Sequence, residues 1–175
     1  KELMAGHQAY FVYPRIGEET EENNDKSLKA AEEMYKFLSS QVYPGIKCAL
    51  IHGKVMEEEQ KDILDRFNKG EIRILVATTV VEVGVDVENA TCIVIEHADR
   101  FGLAELHQLR GRVGRSSLQS FCFLIYGKNI SEVGKARLKA LHESTDGFYI
   151  AEQDLKLRGP GEISGTSQSG YLTLA

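Results

Sequence analysis

The chain has 175 residues, enough for one ordinary domain with a full core and an appendage. Its hydrophobic share of 42% and charged share of 27% suit a globular protein, no apolar run is long enough to span a bilayer, and no signal-peptide pattern opens it. The net charge of −5 argues against tight nucleic-acid binding by overall charge, leaving only local basic faces: Arg110, Arg112 and Arg115, or Lys135, Arg137 and Lys139.

Residues 8–13 (Gln-Ala-Tyr-Phe-Val-Tyr) read as a strand that Pro14 ends. Tyr10, Phe11 and Tyr13 are expected in the core and strand, not as a base-stacking platform. Residues 17–24 are acidic and predict an exposed loop. From Asp25 a helical period begins, with Leu28, Ala31, Met34, Tyr35 and Leu38 at steps of three and four. Residues 46–51 predict a strand stopping at His52-Gly53. Glu57, Glu58 and Glu59 then open a helix whose buried face is Ile63, Leu64 and Phe67 and which Gly70 closes. Strands follow at 72–76, 91–95 and 120–126, with a short helical segment running to Gly84 and a helix at 103–115.

Strands alternating with helices predict an α/β fold, a parallel sheet covered by helices on both faces. Ligand-binding loops of such sheets lie at the carboxyl ends of the strands, and residues 77–86 and 108–115 are expected at or beside such ends. Cys48, Cys92 and Cys122 each fall in a strand-like run, so they are expected to be reduced thiols without a metal, which points to the cytosol. His7, His97 and His142 stand alone and predict surface or locally bonded side chains. After Gly127 the pattern changes. Residues 131–144 predict an amphipathic helix with Val133, Ala136, Ala140 and Leu141 on one side, Asp146-Gly147 breaks it, and 149–157 predict a second helix. Four glycines and a proline over 159–170 predict an extended loop. The expected division is a lobe at 1–128 and a helical hairpin with its loop at 129–175.

Two segments carry chemistry. Gln108-Leu109-Arg110-Gly111-Arg112-Val113-Gly114-Arg115 places two arginines three residues apart, which on a helix share one face. Phosphoryl transfer spreads negative charge over the γ-phosphate oxygens. A guanidinium stays charged and presents a planar fork of donors suited to stabilising it. A solvated arginine face is the bland alternative, but two glycines inside a short helix would cost about 1 kcal/mol each. The second segment is Ala77-Thr78-Thr79-Val80-Val81-Glu82-Val83-Gly84-Val85-Asp86. Thr78 and Thr79 suit a nucleic-acid phosphate, and Asp86 suits a ribose hydroxyl. A strand-to-helix turn capped by Thr and Asp is the plain alternative.

Residues 108–115 and 77–86 resemble motifs VI and V of superfamily 2 helicases, with His52-Gly53 similar to the segment between them and motif IV. Order and spacing match the second RecA-like lobe of such motors, a P-loop NTPase fold. Asp146-Gly147-Phe148, Ile150-Ala151-Glu152, Asp154-Leu155, Leu157-Arg158-Gly159-Pro160-Gly161-Glu162 and Gly165-Thr166-Ser167-Gln168-Ser169-Gly170 resemble the translocation motif of the RecG family of bacterial DNA helicases.

The resemblance implies an ATP-driven translocase of branched double-stranded DNA, such as stalled forks and Holliday junctions, in the bacterial cytoplasm. It implies Arg112 and Arg115 as arginine fingers with Gln108 nearby, and Gly84 and Asp86 at the nucleotide. His52, Gly53, Thr78 and Thr79 would lie on the DNA backbone, and Arg137, Arg158 and Gln168 would couple lobe closure to movement. Neither a GxxxxGK[ST] nor a DExH sequence occurs, so the ATP phosphates and Mg2+ would be held mainly by an N-terminal helicase lobe of the same protein, with a wedge domain as a further partner. The chain departs from the family at Ser167, where Arg is usual, and at Glu105. The alternatives are the corresponding lobe of the coupling-factor family Mfd, which reads RGAGN where this chain has residues 158–162, and a binding module without motor activity.

Overall fold

The computed structural model describes residues 1–14, 21–78 and 87–163. Five strands form one parallel sheet in the order β2-β3-β1-β4-β5: β1 (Gln8–Tyr13), β2 (Cys48–Ile51), β3 (Ile74–Thr78), β4 (Ala90–Ile95) and β5 (Phe121–Leu124). The α/β class and the parallel pairing are those expected. Each predicted strand is present, the outer ones shorter than their apolar runs.

Alternation along the strands assigns the two faces. Tyr10 and Val12 of β1, Leu75 and Ala77 of β3, and Ile93 and Ile95 of β4 point to one side. There they meet Ile63 and Phe67 of α2 (Glu57–Asn68), Leu103 and Leu106 of α3 (Leu103–Arg110), Leu138 and Leu141 of α4 (Glu132–Glu143), and Ile150 of α5 (Gly147–Ile163). Ala9, Tyr13, Ile74 and Val76 point to the other side, against Ala31 of α1 (Glu21–Phe37) and Leu38. The hairpin α4–α5 therefore shares the core of the sheet's first face.

Four expectations are corrected. The helix expected from Asp25 begins at Glu21, so residues 21–24 of the predicted acidic loop are helical; residues 15–20 lie outside the described residues. Acids early in a helix suit its positive end, and Glu22 adds an i,i+4 pair with Lys26 at 3.1 Å. The helix expected over 103–115 stops at Arg110. Gly111 caps it and Gly114 takes a φ of +81°, so the glycines end the helix instead of lying within it. In α4 the buried set is Gly134, Leu138, Ala140 and Leu141, while Val133 is exposed and Ala136 half-buried. The true face follows the step of four from Gly134. Finally, α5 continues to Ile163, so the expected loop does not begin at Gly159. Residues 164–175 lie outside the described residues.

The three cysteines are free and half-buried. Burial pushes the Cys122 thiol up to about 11, against the pull of nearby Arg110. The folded chain thus keeps this proton at a pH where an unfolded chain has lost it. The contribution to stability is whole below about pH 9 and declines between 9 and 11. Peptide mapping after iodoacetamide at pH 8 should find Cys122 alkylated far more slowly in the native than in the denatured protein. Equal rates would contradict this burial.

Phe67 is fully buried, and its ring lies 5.0 Å from that of Tyr10 at 57°. Its carbonyl accepts from the buried Gln8 Nε2. Phe67→Ala should therefore cost about 3–5 kcal/mol in urea unfolding, and a loss below 1 kcal/mol would mean that this joint between α2 and the sheet carries little.

Candidate nucleotide and nucleic-acid edges

In a parallel sheet every helix between strands runs back against them, so a chain leaving a carboxyl end re-enters at an amino end. Thr78 is the last residue of β3, and His52 follows the last residue of β2. Both lie at the carboxyl edge, as expected. Arg112 and Arg115 lie after α3 and before β5, at the opposite, amino edge. That corrects the expectation that both motif segments meet at the carboxyl ends. A strand of six residues at ~3.3 Å per residue makes the two edges roughly 20 Å apart.

At the carboxyl edge Thr78 is 4% exposed, and its Oγ1 has no hydrogen-bond partner among the described residues. A buried hydroxyl in that state suits an incoming acceptor such as a phosphate oxygen. The loop after β2 is tightly set. Lys54 N donates to His52 Nδ1 (3.1 Å), while Gln60 Nε2 reaches back from α2 to His52 O (3.1 Å) and Val55 O (2.8 Å). Lys54 Nζ pairs with Asp25 of α1 at 2.8 Å. Gly53 is exposed at the turn. Sequence reasoning missed Gln60, whose place one turn into a Glu-rich helix gave no signal. Thr79, Gly84 and Asp86 lie outside the described residues.

At the amino edge Arg112 and Arg115 occupy a hydrogen-bonded loop, not a helix face. Arg112 N donates to Leu109 O (3.0 Å) and Val113 N to Arg110 O (3.3 Å), and Val113 is buried. Arg115 is exposed, with Nε on Gly111 O at 2.8 Å; Arg112 is half-buried and Gln108 exposed. A Cβ on Gly114 would lie 2.8 Å from Ser120 Oγ, so this turn takes glycine for both space and φ. The donors offered are two guanidiniums and a carboxamide. That set fits the terminal phosphates of a nucleotide and offers no carboxylate for Mg2+. Among the described residues no group of three or more His, Cys, Asp or Glu could hold a metal ion.

Arg110, grouped by sequence with the fingers, points the other way. Its Nη1 donates to Leu141 O and to Ser144 O (2.9 Å), and Nη2 lies 2.9 Å from His107 Nδ1. Burial lowers its pKa from the ordinary arginine value. Of the expected coupling residues, Arg137 is half-buried on α4. Arg158 lies within α5 and pairs with Asp154 at 3.2 Å. A Cβ built on Gly102, just before α3, would lie 3.3 Å from Arg158 Nη2. Gln168 is outside the described residues. His7 pairs with Glu2 at 2.7 Å, and His142 is exposed.

The helicase conserved C-terminal domain family matches residues 20–117, and the family "ATP-dependent DNA helicase RecG, domain 3, C-terminal" matches residues 144–173. The chain is 53% identical over 97% of its length to the ATP-dependent DNA helicase RecG of Treponema pallidum (strain Nichols), covering 24% of that protein. It is 49% identical over 97% of its length to that of Thermotoga maritima, covering 21% of it. The chain thus spans about a quarter or less of these relatives. Among solved structures, RecG bound to a three-way DNA junction matches with a TM-score of 0.74 and 47% identity, over 93% of this chain and 20% of that one. Domain 2 of the Mss116p DEAD-box helicase matches with a TM-score of 0.60 at 19% identity, over 94% of this chain and 62% of that one, a likeness of fold alone. The chain belongs to the helicase conserved C-terminal domain family.

Proposed function

We propose that the chain is the second RecA-like lobe (1–128), with the coupling hairpin and loop (129–175), of an ATP-dependent DNA helicase that remodels branched duplex DNA in repair and recombination in the bacterial cytoplasm. The observation that carries this reading is identity of about half with helicases named RecG over 97% of the chain, through both the arginine loop and the hairpin.

Each edge of the sheet then has one task. At the amino edge, Arg112 and Arg115 reach the terminal phosphates across a cleft closed by an N-terminal helicase lobe, with Gln108 beside them; Gly84 and Asp86 serve the nucleotide's sugar and phosphate side. ATP with Mg2+ supplies the transferable phosphoryl group when bound, the metal held mainly by that other lobe. The guanidiniums stabilise charge on the equatorial oxygens, and their rigid loop means that little reorganisation is required. At the carboxyl edge, the Thr78 hydroxyl and the His52-Gly53 turn bind the DNA backbone, a role Thr79 shares. Such contacts position the duplex without reading its sequence, as a branched substrate of arbitrary sequence requires. Arg137, Arg158 and Gln168 transmit lobe movement to the duplex, a wedge domain of the same protein parting its strands.

In the full-length protein Arg115→Ala should lower ATP turnover on the order of a thousandfold while branched-DNA affinity in a gel-shift assay stays near that of the parent. Arg112→Ala should behave alike. Normal turnover in both would reassign these side chains to the folding of the loop. Gln168→Ala should leave DNA-stimulated hydrolysis largely in place and impair fork unwinding, both read on one forked substrate. Proportional loss of the two rates would argue against a coupling role.

A further inference from the structure

Arg110 takes no part in the phosphate chemistry assigned to its neighbours, yet two of its three side-chain hydrogen bonds tie α3 to the hairpin. Two of its three acceptors are the carbonyls of Leu141 and Ser144, in the last turn and at the cap of α4. These belong to the carbonyls that a helix leaves unpaired at its negative end, and Ser144 has extended backbone (φ −144°, ψ 148°), so α4 does not close itself with a left-handed turn. The third partner, the His107 imidazole, lies one turn back on α3, and a Cβ on Gly147, the first residue of α5, would lie 3.6 Å from its Nε2. Among the described residues no carboxylate pairs with Arg110, so the half-buried guanidinium is held by neutral dipoles and an imidazole.

The same residue begins the finger loop. Arg110 O accepts from Val113 N, between Arg112 and Arg115, and the next residue's carbonyl, Gly111 O, accepts from Arg115 Nε. A short bonded path thus runs from the end of α4 through the Arg110 side chain and backbone to both finger arginines. At the other end of α3, Arg158 of α5 lies against Gly102. The hairpin therefore meets α3, the helix that leads into the arginine loop, at both ends.

We propose that Arg110 is a positioning residue that sets the arginine fingers according to the position of the hairpin, so that displacement of α4 and α5 withdraws Arg112 and Arg115 from the phosphates. The direction is from hairpin to nucleotide: what the hairpin does on DNA governs hydrolysis. The proposal rests on the finger role of Arg112 and Arg115 given above. An error of about 1 Å in placing a catalytic group costs on the order of a hundredfold in rate, so a loose joint here is enough to matter.

The test is steady-state ATP hydrolysis by the full-length protein, with and without a synthetic three-way junction, alongside junction affinity and thermal melting. For Arg110→Gln, kcat should fall on the order of tenfold to a hundredfold, with KM for ATP and junction affinity near those of the parent. The ratio of hydrolysis with junction to that without should fall toward one. Arg110→Lys keeps the charge but cannot span two carbonyls and the imidazole, so it should recover the melting temperature without recovering that ratio. Parental kcat and stimulation in a variant that melts early would overturn the proposal and leave Arg110 a helix cap. So would full rescue of stimulation by lysine, or failure of both variants to fold. Arg112→Ala, run beside them, separates the two readings: normal hydrolysis there means that the finger assignment has failed, whatever Arg110 does.

Discussion

Parallel pairing of β1 between β3 and β4 is the constraint from which the remaining arrangement follows. Parallel neighbours cannot be joined by tight turns, so each connection must cross back over a face as a helix or long loop. That requirement supplies the apolar cover on both faces. It also sends alternate loops to opposite ends of the strands, keeping the Thr78 hydroxyl and the arginine loop apart though only some thirty residues separate them along the chain. On the function proposed above, the polymer and the nucleotide would thus meet separate edges of one sheet.

The helical cover is unequal in what it does. On one face α1 meets β2, β3 and β1 and fills space. On the other, α3 packs against both helices of the α4–α5 hairpin, and its side chains divide the labour by facing. Leu103 and Leu106 enter the core, Gln108 faces outward, and Arg110 closes the end of α4. Three arginines within six residues thus serve two purposes, two on the loop and one in a joint. The division is made by the end of the helix at Gly111.

The strands were legible as short apolar runs rich in aromatic and branched residues; their faces were not, because a sheet covered on both sides leaves Ala9, Tyr10, Val12 and Tyr13 all apolar. Candidate site residues could be proposed from sequence where a motif fixes residue type and spacing together, as at Arg112 and Arg115. What sequence concealed depends on three-dimensional return. The end of α3 hinges on whether Gly111 and Gly114 are tolerated inside a helix or terminate it, a difference of about 1 kcal/mol per residue that tertiary packing decides. The direction of the Arg110 side chain depends on carbonyls more than thirty residues away. The buried face of α4 turned on Gly134, which carries no apolar side chain to register in a periodic pattern but packs where a Cβ would lie 2.9 Å from Ile130 Cγ1.

The sheet ends in β2 on one side and β5 on the other, and these are its shortest strands, four residues each against five or six inside. Phe123 of β5 is 49% exposed, and Ile125 and Tyr126 just beyond it are exposed as well. An outer strand of aromatic and branched residues is the usual template on which a second molecule adds its own strand and begins an aggregate. Brevity is the safeguard: a ladder this short offers a stray strand too few rungs to repay its ordering, so the lobe can keep apolar side chains at its rim without becoming adhesive to its own copies.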